Sequence, residues 1–324
     1  MERMATNDKE VKYSGLPMLP PWAELTIDSA VISDLLKASR HLAHLDGLVS
    51  RLPNRNLFID AIVFKEAVAS CAIDGLRETA LAVDKYREVL LREGHEVFCG
   101  KRFTEEDIRA VSSELGGGER SFLGPDIAYL ARFLNNDTGF PRDPLFRMAL
   151  IQYQFEVLQP LHGRDGRVGR LISILYLIQS GLLGQPSLCL SAFHLRNTEG
   201  YSEVLKTVRT SRDWRQWVTH MLNGISSATE YTVSIIHRIQ ALKDQMEAVI
   251  CENDLRFDRM DIARLFKIPS INPRELMSGS IKSVNTAKKY LSQLETLGLL
   301  SKTKVGKKYV WVNTGLMDIL ADRD

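Results

Sequence analysis

The sequence predicts a mainly α protein, an all-helical body followed by a small basic module of mixed structure. Three observations predict it. Apolar residues recur at three- and four-residue spacing through most of the chain from Ser29 to about Ala248. Strand signals are almost absent before residue 300. From Asp254 the order becomes helix, helix, basic helix, basic hairpin, which is that of a winged helix-turn-helix.

The segment ending L-P-M-L-P-P-W at Trp22 reads as an extended arm, because proline disfavours helix at and before itself. The first helix runs from Ser29, with Ile32, Leu35, Leu36, Leu42, Leu45, Leu48 and Leu52 as its apolar stripe, until Leu52-Pro53-Asn54 breaks it. A second, from Phe58 to about Ile73, ends at Asp74-Gly75, where glycine supplies a left-handed cap. More helix is expected over Ala82–Arg92 and Thr104–Leu115, then a flexible break at Gly116-Gly117-Gly118, then helix over Asp126–Leu134. Asp143-Pro144 starts the next as N-cap and first-turn proline; it is apolar on most sides to Leu158 and reads as the central buried helix. The run from Leu171, with Ile174, Leu175 and Ile178 in register, packs against it. Helices over Glu199–Arg209 and from Asp213 to about Ala248 complete the body. In the basic module, Phe257–Phe266 is a short helix and Asn272-Pro273 starts another. The third turns Ala287, Tyr290, Leu291, Leu294 and Leu297 inward and Asn285, Lys288, Lys289 and Ser292 outward. A hairpin over Lys302–Val312 follows, turning near Val305-Gly306-Lys307.

At 324 residues the chain has room for two or three domains. Hydrophobic residues at 44% and charged ones at 25% are ordinary for a soluble globular protein, and no run approaches the roughly 18 apolar residues of a membrane span, so no membrane partner is expected. The start, M-E-R-M-A-T-N-D-K-E, has no apolar segment, which argues against a secretory signal. Cys71, Cys99, Cys189 and Cys251 are scattered without a C-x-x-C pair, a pattern of reduced thiols in a cytoplasmic protein rather than of disulfides or zinc. The net charge of +2 is uneven: from Asp254 onward, 13 Lys and Arg face eight Asp and Glu, leaving the body mildly acidic. One surface for a polyanion and another for something else follows from that asymmetry.

The densest chemistry lies in L-Q-P-L-H-G-R-D-G-R-V-G-R, Leu158 to Arg170, opening into the apolar run Leu171–Leu183. N–H groups at a helix start carry partial positive charge and attract anions. Gly166 and Gly169 allow close backbone approach, and Arg167 and Arg170, three apart, lean over the same mouth with planar forks suited to phosphate. The residues alone leave open an ordinary helix start whose arginines pair with carboxylates.

These residues resemble the Fic family, whose motif is H-P-F-x-[D/E]-G-N-G-R-x-x-R between two buried helices; Q-Y-Q-F-E-V-L, Gln152–Leu158, matches what precedes it. E-A-V-A-S-C-A-I-D-G, Glu66–Gly75, resembles the family's inhibitory helix [S/T]-x-x-x-E-[G/N]. The runs L-P-M-L-P-P-W and R-L-P-N-R-N-L resemble its N-terminal domain, and Asp213-Trp214 to Trp217 and the winged helix also fit. The resemblance implies a Fic-associated helical domain over residues 1–100, with the inhibitory segment at 66–75. A Fic core follows over 101–225 with its nucleotide loop at 159–170, then a connecting helix over 226–253 and a winged helix-turn-helix over 254–324.

Most Fic proteins transfer AMP from ATP to a hydroxyl of a target protein. The motif histidine, the general base, falls on Gln159, which cannot accept a proton near neutral pH; losing such a base costs about 10²- to 10⁴-fold in rate. Pro160 matches, Leu161 replaces phenylalanine, and the acidic residue that helps hold magnesium falls on Gly163. Magnesium is therefore left open, with Asp165 as a substitute ligand. The resemblance gives Arg164, Asp165, Gly166, Arg167, Gly169, Arg170 and Tyr201 as nucleotide-binding positions and ATP as substrate or ligand. Asp74 takes the inhibitory place, within reach of Arg170 though one methylene shorter than glutamate; local helix capping explains Asp74-Gly75 equally well. The stretch Gly116–Gly124 is shorter than the usual target-docking flap. The expectation is a regulatory, nucleotide-binding protein with catalysis weak or lost. Two alternatives stand beside it: an active protein adenylyltransferase using a substitute base such as His162, and a DNA-binding transcriptional regulator acting through Lys288, Lys289, Lys304, Lys307 and Lys308. Those lysines also read as a plain solvated face. A target protein and a homodimer stay open as partners.

Overall fold

The structure, a computed structural model, describes residues 25–76, 80–116, 125–135, 143–162, 166–253, 255, 257–277, 281–306 and 308–322. Its elements are α1 (Ser29–Arg51), α2 (Arg55–Ile73), α3 (Ala80–Phe98), α4 (Glu105–Glu114), α5 (Pro125–Leu134), α6 (Pro144–His162), α7 (Gly166–Gln179), α8 (Leu190–Arg196), α9 (Thr198–Ser211) and α10 (Trp214–Glu252). They continue with α11 (Arg259–Arg264), β1 (Ser270–Ile271), α12 (Val284–Thr296), β2 (Ser301–Val305), β3 (Lys308–Val312) and α13 (Thr314–Leu320). The mainly α expectation holds.

Helix α1 starts where the Asp28 side chain accepts from Val31 N at 2.9 Å, and it packs on α10. Its buried face is Val31, Ala38, Leu42, Leu45 and Val49; Ile32 and Leu36, placed on the stripe by sequence, are exposed. Alanine at position 38 buries without a bulky side chain, so the contact stripe runs through it instead. Helix α2 is buried on nearly every side, carrying Lys65, Glu66 and Ser70 inside with its apolar residues. Thr104 and Asp107 form a reciprocal capping box that starts α4.

The central pair is α6 and α7. A Cβ on Gly169 would lie 2.5 Å from the Phe155 Cβ, so glycine is what lets the two helices approach here. Trp217 Nε1 donates to Ala149 O at 2.7 Å, and Tyr153 sits edge-on to Trp214 and Trp217, fixing α10 against α6.

Several expected boundaries move. Helix α6 continues through Gln159, Pro160, Leu161 and His162, and α7 already begins at Gly166, so much of the expected 159–170 loop is helical. Pro160 removes one backbone donor and crowds the Glu156 carbonyl, yet the helix continues to His162. Helix α10 is one continuous helix of 39 residues, ending four residues beyond the expected Ala248. Asn272-Pro273 starts a single turn rather than a helix: the Asn272 side chain accepts from Arg274 N at 2.9 Å, and Glu275 Oε2 accepts from Asn272 N at 2.7 Å. Helices α8 and α13 and strand β1 were unforeseen. β1 completes an antiparallel sheet of order β1-β3-β2, with Ile271 and Lys302 flanking Trp311 from opposite sides.

The C-terminal end is tied to the body by a polar clamp that is buried at Lys65 and exposed at Asp322. Lys65 Nζ donates to Leu320 O at 2.6 Å and to Asp322 Oδ2 at 2.9 Å. Asp322 also accepts from Arg196 at 3.1 Å and from the Tyr231 hydroxyl, while Gly315 lets α13 sit against Leu242 of α10. Among the described residues, no helix is long and apolar enough to cross a membrane.

Candidate functional site

The first turns of α7 face the end of α2. Helix α2 stops as expected, with Gly75 at φ +77° and Leu76 N donating to Cys71 O at 2.9 Å. Backbone caps the helix, which leaves the Asp74 carboxylate free to reach across. Its Oδ2 lies 2.9 Å from Arg170 Nη2 and 3.9 Å from Arg167 Nε. Arg170 is 3% exposed and held by α2 on two of its nitrogens: Nε donates to Ser70 Oγ at 2.8 Å and Nη2 to Ser70 O at 2.9 Å. Ser70 and Asp74 are one helical turn apart, so one face of α2 grips one guanidinium. Arg167 is also buried and donates through Nη2 to Leu115 O.

Behind Arg170 lies a second carboxylate, Glu156 on α6, with Oε1 4.0 Å from Arg170 Nη1. Gln152 orients it, donating to Glu156 Oε1 at 3.0 Å and to the Tyr201 hydroxyl at 3.3 Å while accepting from Ser173 Oγ. Burial pushes Glu156 up and Tyr201 well above the usual phenol range. Burial opposes the charge of Arg170, but Asp74 and Glu156 outweigh it and hold the guanidinium above its ordinary value. Glu66, one turn before Ser70, is fully enclosed. Burial raises it to about 7, moderated by hydrogen bonds from the Ser191 side chain and backbone N–H. His194 is lowered to about 3, first by burial and then by the charge of Arg170; its ring lies 4.5 Å from that of Tyr201. The arrangement is a cationic helix N-terminus plugged by the protein's own carboxylate, so an incoming anion competes with Asp74 for Arg170.

The structure thus brings Asp74, Arg167 and Arg170 together, with Gly166 at the start of α7 and Tyr201 linked through Gln152 and Glu156. Gly169 has its own packing reason against Phe155. Gln159 lies on the last turn of α6 with its side chain, like that of His162, outside the described residues; Gly163, Arg164, Asp165 and residues 117–124 of the flap segment lie outside them as well. In the C-terminal module, Lys288 and Lys289 on α12, Lys304 on β2 and Lys308 on β3 are exposed, and Lys307 lies outside the described residues.

Residues 32–93 match the family model described as Fic/DOC family N-terminal, a stretch that takes in most of α1, all of α2 and most of α3. Among solved structures the chain is similar to a Fic family protein from Desulfovibrio desulfuricans G20, at 17% identity and a TM-score of 0.49, over 90% of this chain and 98% of that one.

Sequence reasoning named the two arginines and Asp74 but passed over Ser70, Glu66, Gln152, Glu156 and His194. The signal for Ser70 was present: it stands four residues before Asp74 and therefore on the same face. Glu66 and Glu156 are acidic residues within two largely apolar helices. Nothing in the sequence marks His194.

Proposed function

We propose that this chain is a Fic-type nucleotide-binding regulator, derived from protein adenylyltransferases, in which AMP transfer from ATP is weak or lost. The observation that carries this reading is the grip of Ser70 and Asp74 on Arg170, next to a helix end where Gln159 stands in place of a proton acceptor. ATP or ADP, with or without magnesium, binds at Gly166, Arg167 and Arg170 once Asp74 withdraws, with Arg164, Asp165, Gly169 and Tyr201 lining the same mouth. A target protein reads the resulting state.

Calorimetry with ATP and ADP on the native chain and on Asp74→Ala tests it, alongside labelled ATP in a cell lysate. Weak binding by the native chain, at least tenfold tighter binding by the variant and no labelling are expected. Robust labelling of a target by the native chain overturns the regulatory reading in favour of an active adenylyltransferase. A Gln159→His chain that still transfers nothing places the limit elsewhere as well, in the lost acidic group at Gly163 or the short flap.

A second reading is favoured by the exposed lysines of the C-terminal module. Helix α12 presents Lys288 and Lys289, and the adjoining hairpin presents Lys304 and Lys308, in the order of a winged helix that binds DNA phosphates. A salt-dependent gel shift lost in Lys288→Ala/Lys289→Ala supports it, and no shift at low salt ends it.

A further inference from the structure

Between α12 and the hairpin β2–β3 runs an open groove of about 800 Å³. One wall is Val284, Lys288 and Ser292, spaced four apart along α12 and therefore one stripe. The other is Lys302, Lys308, Tyr309 and Trp311, and the turn Asn272–Glu275 closes an end with Arg274. Four cations line it against one carboxylate, Glu275, which is already engaged by the Asn272 N–H at 2.7 Å. Among the described residues none of Arg274, Lys288, Lys302 and Lys308 forms an ion pair. Opposed unpaired cations on both walls of a concavity suit a chain of phosphates lying between them.

The aromatic residues divide the work. Trp311 is buried and structural, its Nε1 donating to Glu295 Oε2 at 3.0 Å. Tyr309 is 53% exposed at the groove, its ring 4.9 Å from the Lys302 ammonium, a cation–π contact that orients it. An exposed ring beside a track of lysines is the pairing that holds unpaired nucleic acid: phosphates on the cations, a base on the ring.

Building on the nucleic-acid reading of the C-terminal module, we propose that this groove binds one unpaired polynucleotide strand, its phosphates on Arg274, Lys288, Lys302 and Lys308 and one base stacked on Tyr309. A duplex keeps its bases stacked on one another and offers none to Tyr309. Its major groove, about 12 Å wide, instead receives a protruding element.

Fluorescence anisotropy with the full chain tests this, using a labelled thymidine dodecamer, a duplex of equal length and heparin as a base-free polyanion. The single strand binds tighter than the duplex. Tyr309→Ala weakens it roughly tenfold, as expected for loss of a stacked base, whereas Tyr309→Phe leaves it unchanged. Lys302→Ala and Lys308→Ala each reduce the slope of log affinity against log salt by about 0.7. Tighter duplex binding that is indifferent to Tyr309→Ala overturns the strand proposal and leaves DNA binding standing. Heparin competing as well as the strand, with no effect of Tyr309→Ala, reduces the groove to a polyanion patch and overturns it too. No binding of either nucleic acid at low salt overturns both.

Discussion

Asp74 and Arg170, 96 residues apart in sequence, meet at 2.9 Å, so that the last cap of α2 closes over the first turns of α7. The guanidinium that an anion would need is already satisfied from inside the protein. Its release carries a cost that any ligand has to offset.

Removing that carboxylate separates stability from binding. Asp74→Ala leaves Arg170 with Ser70 and the more distant Glu156, and loss of one partner of a buried pair typically costs about 3–5 kcal/mol. The lower end is expected, because Ser70 and Glu156 remain. Urea titration reads the loss, while calorimetry reads the gain in ATP affinity, in the opposite direction.

Gly169→Ala tests helix packing rather than ligand approach. The added methyl would sit 2.5 Å from the Phe155 Cβ, on a rigid part of the opposing side chain, so α6 and α7 must separate. Overpacking of this kind costs about 1–3 kcal/mol, read as a lower Tm with α-helical content retained.

Glu66 makes stability depend on pH. Its folded value of about 7 lies above the ordinary 4.5, so between those values the native state holds a proton that the unfolded chain releases. The contribution is therefore complete below pH 4.5 and disappears as pH rises through about 7, a change of roughly 3–4 kcal/mol. Glu66→Gln, which resembles the protonated acid, flattens that part of the stability profile in urea titrations between pH 5 and 8.

Long periodic stretches were readable in the sequence because a single force, burial of an apolar stripe, dictates them: α2, α6, α7 and α10 follow from their patterns. Ile32 and Leu36 misled because hydrophobicity alone does not say which of two adjacent stripes meets α10; the small side chain of Ala38 decides it. β1 is two residues long and carries no period, and α8 and α13 are seven residues each, too short for one to stand out. The arginines and Asp74 were legible through the motif. The polar shell of Glu66, Gln152 and Glu156 was not, since its members come from helices whose juxtaposition only packing establishes.

Lys65 lies midway along α2 and Asp74 is its C-cap, nine residues or about 14 Å further along the axis. Lys65 is anchored to Leu320 and Asp322, and Asp74 to Arg170. Because α2 is one continuous helix, any coupling between the two contacts is reciprocal. On the nucleotide-binding reading, Lys65→Met shifts ATP affinity in calorimetry and ATP in turn alters protease susceptibility of the segment after Asn313; an unchanged affinity shows the two contacts to be independent. The C-terminal helix and the Arg170 contact are in this way joined through a single helix, α2.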